Sequence, residues 1–235
     1  MEWEEKWTMR GIDKDDPRCI ASKEVLADFI ERTGFLPLFR NEIPGFSVEE
    51  NVCPEDWWTD DEEKDPWIWR MSLAETGRFA YGKFFNGCAG FVSKEWFPYF
   101  ACIRRNGYDF DSRADEGLAK KRDADVVRLF EGGAAHTISS IRTESHLTKG
   151  LDGTLQSLQH QTYLLVSGFT RKVNKRGEPY GWSISVYQTP ECIWGYDFAT
   201  SGYGYGEKEC ADRITEQLCE MYPDIEKEKW LKMIL

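Results

Sequence analysis

Three groups of residues in this 235-residue chain have side chains and spacings suited to chemistry. The first is polar. Gln156, Ser157 and His160 lie opposite Leu151, Leu155, Leu158 and Thr162, which recur at a helical period. Such a face, rich in hydrogen-bonding groups and almost uncharged, suits the reading of base edges in a DNA groove. It also suits simple exposure to water. The second group is cationic. Arg171, Lys172, Lys175 and Arg176 crowd a stretch that ends at Gly177, and their chemistry is the neutralisation of phosphates. The third group is aromatic. Trp67, Trp69, Tyr81, Phe85, Trp96 and Tyr99 are interleaved with Arg70 and Lys83. Trp69, Arg70, Tyr81, Lys83 and Trp96 would wall a pocket for a planar base, or the rings would form a hydrophobic core; the core is the simpler account. Either way Arg70, Arg78 and Lys83 require partners, because an unpaired buried charge is costly. Asp65 or Glu75 would serve as structural partners, and a phosphate or base as functional ones.

Other chemistries are poorly served. His136, His146 and His160 stand at spacings of ten and fourteen, unlike a helical metal pair. Gly202, Gly204 and Gly206 lack the strand and the Gly-Lys-Ser context of a phosphate loop. There is no G-x-S-x-G elbow and no Cys/His pair with an orienting acid. The seven Cys contain no C-x-x-C pair, which predicts reduced thiols and a cytoplasmic location rather than a disulfide scaffold or a zinc site. No metal and no cofactor is expected.

The first two groups must be positioned by residues 121–190. Asp123 caps a first helix with Val126, Val127 and Phe130 on its apolar side, and Gly132-Gly133 stops it. Thr137 opens a second, short helix that buries Ile138 and Ile141. The third runs from Leu151 to Thr162. A strand, Tyr163 to Phe169, enters the basic turn, and another, Gly181 to Tyr187, returns. In that strand Trp182, Ile184 and Val186 alternate with Ser183, Ser185 and Tyr187, the period of a half-buried strand. Three short helices and a basic-tipped hairpin predict the winged variant of the helix-turn-helix. The expected class is α+β: a winged helix-turn-helix with additional helices and an aromatic β-hairpin.

Residues 1–120 are expected to form a helical and hairpin region packed on that module, and residues 191–235 C-terminal helices. The chain up to about Ala21 reads as a mobile arm. Ser22 caps a helix to Thr33, stopped by Gly34. Phe35 to Lys64 reads as irregular, and Asp65-Pro66-Trp67 opens a helix to Thr76. Arg78–Phe85 and Ala89–Val92 flank the Asn86-Gly87 turn of a hairpin. A helix begins at Pro98. Glu207–Met221 and Asp224–Leu235 read as helices.

Hydrophobic residues make up 41% of the chain, so it has material for a real core, and no apolar run reaches the length of a membrane span. The net charge is −11, which argues against coating nucleic acid by charge alone. Residues 121–190 hold nine Lys+Arg and six Asp+Glu, a balance of +3, so the rest carries −14. The positive part coincides with the helix-turn-helix pattern.

Asp65-Pro66-Trp67-Ile68-Trp69-Arg70, Ala80-Tyr81-Gly82-Lys83-Phe84-Phe85 and Gly90-Phe91-Val92-Ser93-Lys94-Glu95-Trp96-Phe97-Pro98-Tyr99-Phe100 form a distinctive set of motifs. With Leu158-Gln159 and Gly177-Glu178-Pro179-Tyr180-Gly181-Trp182, they resemble the bacterial proteins called AlkZ-related. The resemblance runs from about Ser22 to the C-terminus. It implies a distant kinship with the AlkZ-type DNA glycosylases, which set winged helices around DNA and position water with a Gln-x-Gln or Gln-x-Asp motif. Gln159-His160-Gln161 is similar to that motif, which makes Gln159 and Gln161 candidate catalytic residues; from the residues alone they are a polar helix end. The expectation preferred here is DNA binding without catalysis. A glycosylase-like enzyme and a winged helix used for protein contacts are the alternatives.

Overall fold

The computed structural model describes residues 9–147 and 149–235. Helix α1 (Lys23–Thr33) is set by local chemistry: the Val25 amide donates to the Ser22 hydroxyl, and Gly34 at φ 81° ends it. The stretch expected to be irregular holds strand β1 (Phe35–Pro37) and a short helix, α2 (Val48–Asn51). Strand β1 is three residues long, too short for an alternation to show in sequence. Helix α3 (Pro66–Glu75) starts where Asp65 accepts from the Trp67 amide and proline fills the first position. Strands β2 (Phe79–Phe85) and β3 (Cys88–Ser93) form the aromatic hairpin, turned by Asn86 (φ 50°) and Gly87 (φ 81°).

The sheet order is β1-β3-β2, all antiparallel. Leu36, Phe79, Tyr81 and Phe91 face one buried cluster, while Phe35, Ala80, Phe84 and Val92 face another. The hairpin is thus a wall between two cores, and a strand buried on both faces is apolar on both. That accounts for its density of rings.

Helix α4 (Phe97–Arg105) has Pro98 in its first turn, where the missing amide goes unused. Helices α5 (Phe110–Asp115) and α6 (Lys121–Val127) follow, the latter continued by a 3₁₀ turn, Arg128–Phe130. Lys120 occupies the cap position of α6. Asp123, expected there, lies buried in the first turn, and burial pushes its carboxyl up. Then come β4 (His136–Thr137), α7 (Ile138–Glu144), α8 (Leu151–His160), β5 (Leu165–Val173) and β6 (Pro179–Gln188). These strands make a second antiparallel sheet, ordered β4-β6-β5. Helices α9 (Pro190–Trp194), α10 (Tyr196–Thr200), α11 (Glu207–Met221) and α12 (Lys227–Ile234) complete the chain.

One cluster draws on residues between Ile20 and Tyr187. The other joins the β1-β3-β2 wall to α4, Leu165 and the C-terminal helices, with Trp230 of α12 sealed against Phe46 and Tyr222. Of the arm expected up to Ala21, residues 1–8 lie outside the described residues. The remainder is tied down, a correction. Met9 packs on the core, the Arg10 amide donates to Glu49, and Ile20 is buried. Among the described residues no helix is long and apolar enough to cross a membrane, and no cluster of three His, Cys, Asp or Glu is fit to hold a metal.

Candidate nucleic-acid interface

Strands β5 and β6 outgrow the body of the protein. Leu165, Val166 and Tyr187 are buried at their root, whereas every residue from Thr170 to Trp182 is exposed. The result is a free-standing two-stranded ribbon. Its tip is ordered by Asn174, whose Oδ1 accepts from the Arg176 and Glu178 amides and whose Nδ2 donates to Glu178. Thr170 pairs with Ile184 and Lys172 with Tyr180, so β6 carries extra residues between these pairs. This is a bulge, with Gly181 at φ 75° supplying the left-handed residue. Beside it Trp182 stands 86% exposed, on a ribbon with no body behind either face. The alternation expected of the strand is corrected accordingly: Tyr187 is the buried ring. Gly181 inside a strand pattern was the available signal. Arg171, Lys172, Lys175 and Arg176 all stand exposed, and none joins an ion pair among the described residues.

The face expected to read bases is less open. Gln156 is exposed, but its amide lies over Gly87 of the aromatic hairpin, where a Cβ would meet it at 2.6 Å. Ser157 is half-buried and accepts from the Gln161 amide at 3.0 Å. His160 turns inward onto Arg104. Because the β2–β3 turn packs across α8, only its Asp152–Gly153–Gln156 edge reaches solvent freely. The expected set Gln156, Ser157 and His160 is therefore not one exposed reading face, a correction. Gln159 and Gln161 also part company. Gln159 is 3% exposed; its Nε2 donates to Leu155 and its Oε1 accepts from the Lys83 amide. With both ends on backbone partners inside the core, it is a structural clasp between α8 and β2. Gln161 folds back on Ser157. The pair does not converge on a water site.

Arg104 is buried with backbone carbonyls of Phe84 and Met233 as acceptors. Among the described residues it meets no carboxylate, and burial lowers its pKa to about 10. Its guanidinium lies 2.8 Å from Nδ1 of His160 and also touches Nε2. Burial first, and this cation second, depress the His160 pKa to about 4. The ring is thus neutral at pH 7. A depressed folded pKa contributes stability that is present above the unfolded value and lost as pH falls through the folded one. Between pH 6.5 and pH 4 the protein should lose on the order of 1–2 kcal/mol, discounted because the ring is only half-buried. Urea unfolding at both pH values measures the loss. In His160→Gln the difference should shrink by most of that amount, and an unchanged difference would exclude His160 as its source.

The expected base pocket also divides. Trp69 is 1% exposed and donates from Nε1 to the Glu62 carbonyl, and Tyr81 is sealed beneath the same cluster. Trp96 lies on the other side of the wall, against Phe35 and Gly34. Alternation along the strands separates them, so Trp69, Arg70, Tyr81, Lys83 and Trp96 line no common pocket, a further correction. Lys83 is exposed, and Arg70 is treated below. A cleft of about 430 Å³ does exist, between α5, the end of α6 and α9. Asp109, Asp111 and Glu131 line it beside the ion-paired Glu191, and their carboxylates repel a polyanion.

A family model described as AlkZ related matches residues 20–235. The chain belongs to the AlkZ-related family. No curated protein matches it. Among solved structures it is similar to the Streptomyces sahachiroi DNA glycosylase AlkZ, at 14% identity and a TM-score of 0.45. That match covers 86% of this chain and 52% of the other, so this AlkZ-related chain spans about half the length of the enzyme.

Proposed function

We propose that this AlkZ-related protein binds nucleic acid, that residues 121–190 form a winged helix, and that its wing, not its third helix, makes the principal contact. The module's order of helix, strand, helix, helix, strand, strand, with β4 paired on β6, supports the winged-helix reading. The observation that carries the binding reading is the ribbon itself. Four cations without carboxylate partners among the described residues share an exposed two-stranded arm with Trp182, which is 86% exposed. Cations that need no ion pair to be broken release phosphate counterions at little cost. An indole beside them offers a stacking face to a base. The arm also resolves the charge problem, because it presents its cations away from a body that carries −14 outside residues 121–190. DNA is the polyanion to test first, given the kinship in the family's description.

The test replaces Arg171, Lys172, Lys175 and Arg176 by Ala and measures binding to a fluorescent duplex across a salt series. Loss of up to four phosphate contacts should flatten the slope of log K against log salt by about 3 to 4 and lower affinity at 0.1 M salt by two orders of magnitude or more. The loss should not depend on sequence. Absence of any DNA affinity in the intact protein at low salt would end this reading.

A further inference from the structure

Arg70 is 6% exposed and leaves α3 into a cage of rings. Its guanidinium carbon lies 3.6 Å from the centroid of Trp67, 4.7 Å from that of Phe169 and 6.0 Å from that of Tyr81. Nε has no hydrogen-bond partner. The carboxylates nearest in sequence are engaged elsewhere: Asp65 accepts from the Trp67 and Asp60 amides, and Glu75 accepts from the Phe169 amide. Arg78, the other cation of this region that needed a partner, has Glu31 at 2.7 Å. Among the described residues Arg70 joins no ion pair.

Ring faces stabilise a cation that lies over them. They do not accept the N–H groups, which point outward in the plane of the guanidinium. A guanidinium held by its faces has its Nη edge left for an acceptor, Nε being enclosed, and that edge matches the paired oxygens of a phosphate. The buried Tyr81 phenol is pushed up by desolvation, which the Arg70 charge and a side-chain hydrogen bond to Arg70 only partly offset, so it is a neutral partner that supplies no anion at neutral pH. Two further cations lie along the same line of chain. Lys83 leaves β2 two residues beyond Tyr81 and is exposed, and Arg171 stands two residues beyond Phe169 on the ribbon.

We propose that Arg70 is an anion seat at the root of the ribbon, taking a phosphate on its Nη edge while Trp67 and Phe169 hold its plane. As a seat for a backbone phosphate it rests on the nucleic-acid reading above; a free phosphate offers the same chemistry from another source.

The test follows the arginine side-chain N–H resonances of the full-length, ¹⁵N-labelled protein, with Arg70 assigned by their loss in Arg70→Lys. Inorganic phosphate and a short DNA duplex are titrated separately. Both should move the Arg70 resonances saturably. Arg70→Lys, with the rest of its spectrum unchanged, should weaken duplex binding about tenfold through loss of the planar fork, with the salt slope little changed because the charge is kept. If duplex binds, the ribbon variant abolishes it, and neither phosphate nor duplex moves Arg70, the seat is overturned while the nucleic-acid reading stands. If phosphate moves Arg70 and no duplex binds, the seat stands for free phosphate and the nucleic-acid reading falls. If nothing moves Arg70, the seat is overturned. Should Arg70→Lys fail to fold, the remaining resonances are assigned through the other arginines, and the wild-type titration decides alone.

Discussion

Arg105→Met should unfold about 3–5 kcal/mol more easily than the wild type, because it removes a wholly buried guanidinium, its ion pair with a half-buried Glu191 and three further hydrogen bonds, leaving the Thr162 groups without a donor. The residue is wholly buried at the end of α4, yet its donors are nearly all used. Nε donates to the Thr162 hydroxyl at 3.1 Å and Nη2 to the Thr162 carbonyl at 2.8 Å. Nη1 donates to Glu191 at 2.6 Å and to the Tyr203 hydroxyl at 3.1 Å. Burial works against the charge, but Glu191 and Tyr203 together outweigh it, and the pKa is raised. The grip on Thr162 matters most. That residue sits at φ 64°, a left-handed conformation that a β-branched side chain adopts only under constraint, at about 1–3 kcal/mol. Thr162 is where the chain leaves α8 for β5, so Arg105 fixes the angle at which the ribbon departs. For a chain of this size such a loss lowers Tm by about 10 °C. Arg105→Lys retains charge without the fork and should fall between the two. A Tm within about 2 °C of wild type for Arg105→Met would show that Thr162 holds its conformation unaided.

Arg105 also shows what a sequence conceals. Asp123 aside, the local signals were faithful: the Ser22 and Thr137 caps, Pro66 at a helix start and the Asn86-Gly87 turn all act where their chemistry predicts. The stripe Leu151, Leu155, Leu158 and Thr162 faces inward as its period requires. What the stripe could not reveal is the occupant of the opposite side. The β2–β3 turn reaches α8 from more than sixty residues away, and no local pattern announces that Gln159 will clasp Lys83 or that His160 will meet Arg104. Arg104 and Arg105 are adjacent, and both read as polar residues closing an apolar helix. Their burial depends on where Thr162, Glu191, Tyr203 and Met233 arrive. The cations of the ribbon were legible because an exposed charge needs no partner to define it. The exposure of Trp182 was not, because an alternating pattern does not say where a strand leaves the body that would bury its apolar face.

Excising the ribbon should separate binding from folding completely. Replacing residues 171–183 with Asn-Gly would join Thr170 to Ile184, which already face each other as a pair, through a two-residue turn suited to a right-twisted hairpin. Nothing from Thr170 to Trp182 is buried, so the excision leaves both core clusters intact, and stability should change by no more than about 1 kcal/mol. Shortening the loop even lowers its closure entropy. Nucleic-acid affinity should fall to that of a body with net repulsion. The deleted stretch holds four Lys+Arg and one Glu, so excision moves the chain from −11 to −14. A variant that folds with wild-type cooperativity and shows no duplex binding at low salt would assign the interface to the arm. Residual affinity within about tenfold of wild type would instead place the contact on the exposed edge of α8, with Asp152 then facing phosphate. A large loss of stability would mean that the arm packs on something in solution, and its exposure would need another explanation.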